Sequence, residues 1–161
     1  MVQLIIKKPA EAGFTLLEIL VVMVIIGILA AIGLGNFQSS QIKARDVQRK
    51  SDLGQISKTL EVYYNDKGEY PLGNGGVIMG CGAAAACTWG EIWQDDKDTI
   101  YMVALPADPR SNNYYYLSDG TYFKIYALLE NTWDKDIGSY AGTTCGELVC
   151  NYGVSSTNVV P

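Results

Sequence analysis

The chain has 161 residues, and a large share of its apolar content lies in residues 14 to 37, which leaves about 120 residues for one small domain. A formal charge of −5 argues against sequence-independent nucleic-acid binding, which needs clustered Lys and Arg to meet phosphates. Histidine is absent, which removes the commonest general base and the commonest metal ligand together.

Residues 1 to 13, "MVQLIIKKPAEAG", hold Lys7, Lys8 and Pro9 and end on Gly13. Residues 14 to 37 follow as an apolar run whose only ionisable side chain is Glu18. About 20 apolar residues at about 1.5 Å rise cross a hydrocarbon core of about 30 Å. The run carries no polar stripe at helical period, so the sequence predicts a membrane helix. No small-residue cleavage site follows Gly35, so the helix is expected to stay on the mature protein. Lys7 and Lys8 favour a cytoplasmic N-terminus, although Lys43, Arg45, Arg49 and Lys50 lie beyond the run. The cysteines favour a C-terminal domain outside the cytoplasm.

No proline stands between Pro9 and Pro71, so one helix is predicted over about residues 14 to 67, with residues 38 to 67 as its amphipathic continuation. Leu53, Ile56, Leu60, Tyr63 and Tyr64 recur at three- and four-residue steps and form one face, with a gap around Arg45 to Arg49. Gly68 and Pro71 are the predicted stop.

The order Gly13, Phe14, Thr15, Leu16, Leu17, Glu18, followed by the apolar run, resembles the N-terminal signature of type IV pilins and type II secretion pseudopilins. The resemblance implies a pilin fold of class α+β, with a long N-terminal helix on a small antiparallel β-sheet domain. It implies that a prepilin peptidase removes residues 1–13 by cutting between Gly13 and Phe14, and that the Phe14 amine is then N-methylated. It also implies a subunit that polymerises with copies of itself in the cytoplasmic membrane and ends in an extracytoplasmic filament. An assembly platform and a cytoplasmic ATPase motor would act on it indirectly, with lipid around the helix before assembly. The sequence departs from the family at "KKPAEAG", where Glu11 and Ala12 intervene before Gly13. It also has only Gly33 and Gly35 where many members carry a helix-breaking proline.

A carboxylate inside a bilayer is costly and points to a functional partner. The Glu18 carboxylate of one subunit is expected to pair with the Phe14 amine of a neighbour and so set the filament register. Snorkelling of Glu18 to the headgroups is the alternative.

Beyond residue 68 a globular αβ domain is expected through residue 161. Cys81, Cys87, Cys145 and Cys150 allow three pairings, of which the local ones, Cys81 with Cys87 and Cys145 with Cys150, are favoured. Their spacings are wider than a zinc knuckle, and a zinc site or free thiols are the alternatives. Residues 72 to 90 read as a Gly- and Ala-rich loop, and residues 91 to 104 as a short helix or irregular strand. Asp119-Gly120 predicts a two-residue hairpin turn that sets Tyr116 opposite Phe123 and Tyr114 opposite Ile125. Phe123, Ile125, Ala127 and Leu129 would then face the core, with Tyr122, Lys124 and Tyr126 outward.

"LPADP" followed by "NNYYY" is similar to the stretch before the paired strands of major pseudopilins. Some of these bind calcium in a C-terminal loop, and Asp134, Asp136 and Glu147 are the residues here that would offer oxygens. "DKDIG" is only a fragment of such a loop, and a solvated acidic turn without a cofactor is favoured. No nucleophile has a base beside it in the sequence, and "VSSTNVV" has no histidine to serve it, so no enzyme is expected. Pilus or pseudopilus, and major or minor subunit, stay open. So does an adhesion or DNA-uptake pilin with a local patch at Arg110 or Lys124.

Overall fold

A computed structural model of the protein describes residues 13 to 161 except residue 84, and sets aside the side chains of residues 32 to 36. The expectations for residues 1 to 12, and for melting of the helix at Gly33 and Gly35, lie outside what is described. The chain divides into two compact units at Ser40/Gln41. Helix α1 runs Leu16–Lys67. Thr15 caps it: its Oγ1 accepts a hydrogen bond from the Glu18 amide at 3.2 Å. At the other end Gly68 takes φ +80° and donates its amide to the Tyr64 carbonyl at 2.8 Å, an αL stop that glycine adopts without strain.

In the second unit, strands β1 (Gly73–Asn74), β2 (Val77–Cys81) and β3 (Ala85–Ala86) form an antiparallel sheet in that order. The stretch read as loop therefore contains three short strands. Gly75 and Gly76, at φ +59° and +87°, make the tight turn between β1 and β2. A Cβ on Gly73 would come within 2.8 Å of the Ser118 amide nitrogen, so glycine there lets two stretches of backbone approach. Strands β4 (Trp93–Gln94) and β5 (Ile100–Met102) pair as a short bulged hairpin, the irregular-strand reading of that segment.

The central sheet follows, with β6 (Tyr115–Ser118) and β7 (Phe123–Ala127) antiparallel. Its register departs from the expected one by two residues: Ser118 lies opposite Phe123, and Tyr116 opposite Ile125. The cause is an Asx turn. Asp119 Oδ1 accepts from the Thr121 amide at 2.9 Å and from its hydroxyl at 2.8 Å, which widens the connection to residues 119–122. A slip of two preserves the faces, so Phe123, Ile125, Ala127 and Leu129 are all buried as the alternation requires. Strands β8 (Thr144–Cys145) and β9 (Leu148–Val149) form a small hairpin, and β10 (Tyr152–Ser155) completes the central sheet in the order β10-β7-β6.

Leu53, Ile56 and Leu60 of α1 pack with Ile78, Trp93, Leu105, Tyr114, Tyr116, Phe123 and Ile125 as the main core. Tyr64 corrects the expected face: it is 43 % exposed and lies against Tyr70, ring centroids 4.6 Å apart. Tyr126 points away from the main core as expected but is buried, because Cys145, Cys150 and Tyr140 form a second cluster over it.

Candidate functional site

Gly13 and Phe14 precede the first turn of α1, and both are exposed, so the bond between them lies in accessible, non-helical backbone. From residue 13 to residue 31 every side chain is exposed in the single chain, including Leu16, Ile19, Met23 and Leu29. An apolar surface of this extent requires cover, by lipid or by other helices. Glu18 is the one charge in it. Among the described residues no helix is long and apolar enough to cross a membrane.

The second unit is held together by charge as well as by its core. The apparent gap in the apolar face of α1 is not a gap: Asp46 and Arg49 continue the buried stripe that Leu53, Ile56 and Leu60 complete. The Arg49 guanidinium is fully buried and donates to Asp108 Oδ2 at 2.6 Å, Asp46 Oδ1 at 2.8 Å and Glu130 Oε1 at 2.8 Å. Arg45 and Arg110 also donate to Glu130, at 2.6 and 3.0 Å. Burial alone would lower the Arg49 pKa, but hydrogen bonds to Asp108 and Glu130 outweigh it and hold the group more firmly protonated than usual. The hydrogen bond from Arg45 leads in pulling Glu130 down to about 2, against its burial and with help from Arg49 and Arg110. Arg110, the residue considered for a nucleic-acid patch, is thus engaged within the chain.

Both local disulfides are formed, Cys81–Cys87 and Cys145–Cys150, which excludes the zinc and free-thiol alternatives. Of the calcium candidates, Asp134 and Asp136 come together and Glu147 stands apart. Asp134 and Asp136 both accept hydrogen bonds from Lys50 Nζ, at 2.6 and 2.7 Å, while Glu147 stands exposed in the β8–β9 turn. No group of three or more acidic or cysteine side chains that could hold a metal exists among the described residues. Calcium takes six to eight oxygens, and the two carboxylates that come together here are already engaged by an ammonium.

A family profile described as "Type II secretion system (T2SS), protein G" matches residues 36–140, and one described as "Prokaryotic N-terminal methylation motif" matches residues 8–34. The chain belongs to the type II secretion system protein G family. Proteins named type II secretion system core protein G are similar along most of their length. The one from Aeromonas hydrophila is 32% identical over 83% of this chain and 95% of its own. The one from Escherichia coli is 32% identical over 90% and 93%, and that from Pseudomonas aeruginosa 34% over 76% and 85%. No solved structure matches. Membership in the protein G family settles the open branch in favour of the secretion system. It also agrees with the likeness seen at Leu105 to Pro109. The ion cluster of Arg49 was missed from sequence, although Asp46 and Arg49 at i, i+3 in phase with Leu53, Ile56 and Leu60 were the available signal.

Proposed function

We propose that this protein is a filament subunit of a type II secretion system, anchored first by α1 as a single membrane pass with its C-terminal domain outside the cytoplasm. A prepilin peptidase cuts between Gly13 and Phe14 and N-methylates Phe14. The platform and motor of the system then draw subunits into a pseudopilus, in which each Glu18 meets the Phe14 amine of a neighbour. One observation carries this reading: an apolar helix surface exposed on all sides, with a single carboxylate one turn from the new N-terminus. Lipid covers the apolar side chains equally well before assembly but offers Glu18 no positive charge, which the Phe14 amine of a neighbour supplies.

The part is structural and not catalytic. The chain has no histidine, and its buried carboxylates Asp46, Asp52, Asp95 and Asp108 are all engaged by Arg49, Tyr114 or Lys67. Intact mass spectrometry of subunits from sheared filaments tests the processing. A chain beginning at methylated Phe14 is expected, and Gly13→Leu should leave an uncut precursor in the membrane. Filaments built from chains that retain Met1 would refute it.

A further inference from the structure

The segment from Asn131 to Gly138 has no strand or helix of its own, yet it is held against α1 at two points one helical turn apart. At the first, the Asp46 carboxylate accepts the amides of Glu130 at 2.9 Å and Asn131 at 2.8 Å. At the second, Lys50 Nζ donates to Asp134 Oδ1 at 2.6 Å and Asp136 Oδ2 at 2.7 Å, and lies 5.4 Å from the centre of the Tyr152 ring. Asp134 Oδ1 also accepts the Asp136 amide at 3.0 Å, which folds the two acids toward the same point. The Lys50 side chain is only 23% exposed and that of Asp134 18%, so this is not a loose surface pair.

We propose that the Lys50 ammonium is the resident cation of this acidic loop, standing where a divalent ion would otherwise be needed to bring Asp134 and Asp136 together. Two carboxylates held this close repel each other unless a positive charge lies between them, and Lys50 supplies it from within the chain. An ammonium offers three donors; two go to the acids, and the face of Tyr152 covers the remainder of the charge. A calcium ion entering here would have to displace two short charge-assisted hydrogen bonds, and of its six to eight oxygens the side chains supply only those of two carboxylates. The loop is therefore set by α1 and not by the calcium concentration outside the cell. It also carries Trp133, 93% exposed. Lys50 plays this part in the single subunit, whether or not that subunit polymerises.

The test uses the full chain in detergent, with thermal unfolding followed in chelator and in millimolar calcium. Terbium luminescence excited through Trp133 serves as the local probe. The unmodified chain and Lys50→Arg are expected to give the same Tm in both conditions and no sensitised terbium emission. Lys50→Met is expected to lose a few degrees of Tm in chelator, to recover part of it in calcium and to gain terbium emission. A rise in Tm with calcium, or terbium emission, from the unmodified chain or from Lys50→Arg overturns the proposal even if Lys50→Met does not fold. So does a folded Lys50→Met that gains no response to either ion.

Discussion

Arg49 carries a full charge into the packed part of the second unit, and its stability there rests on three acids at hydrogen-bond distance. Removing the arginine leaves the buried acids to share fewer donors and no central charge, at a cost of about 3–5 kcal/mol. Arg49→Met should therefore lower Tm by roughly 10 °C. Adding Asp108→Asn should recover part of that loss, because one stranded acid is neutralised; thermal unfolding of the three chains checks this. The same cluster predicts an acid transition. Glu130 has a folded pKa of about 2, below its ordinary 4.5, so the unfolded chain takes up the proton first. Its contribution is complete above about pH 4.5 and is lost as the pH falls toward 2. Asp108 shifts the same way: burial would raise its pKa, but the hydrogen bond from Arg49 and the Arg110 amide bring it down. Asp52 opposes them, since burial raises its pKa more than the Tyr114 hydroxyl lowers it. Tm measured from pH 5 to pH 2 should fall, and a flat profile would contradict the ion cluster.

Among the elements, α1 was the most legible in the sequence. The absence of proline, and Gly68 with Pro71 beyond it, mark its extent and its end by local chemistry alone, while the Thr15 cap emerged only from the structure. Its buried face was only half legible, because apolar periodicity cannot register a stripe that continues through Asp46 and Arg49. The short strands β1, β2 and β3 were not legible either. Their residues are Gly- and Ala-rich, and they are strands because glycine permits the turn at Gly75-Gly76 and the close approach at Gly73, which is tertiary context. The β6–β7 faces were legible from alternation, but the register was not, since it depends on the Asp119 side chain capturing Thr121. The cysteine loops were read correctly from spacing. Each closes a short loop, six and five residues apart in sequence, and chain-entropy reasoning assigns about 2 kcal/mol to each. Cys145 and Cys150 also pack on Tyr126 in the second cluster, so replacing both by serine should cost more Tm than replacing Cys81 and Cys87, of which Cys81 is only half-buried. Equal losses would show that loop closure alone matters.

For the whole molecule, the order of residues 13 to 18 is what suggests processing and register, and the structure adds that Gly13, Phe14 and Glu18 are exposed at the start of α1. The amine that Glu18 is proposed to meet belongs to another copy, which no single chain displays. The division of labour follows from the chemistry of the two units. One presents an exposed apolar helix surface, and the other is closed by its own core, ion cluster and disulfides. The most direct measurement is a helical reconstruction of the assembled filament that resolves the first turn of α1. The expected result is a Glu18 carboxylate within about 4 Å of the Phe14 amine of an adjacent subunit. A reconstruction in which Glu18 turns toward solvent, with no neighbouring amine in reach, would contradict the account.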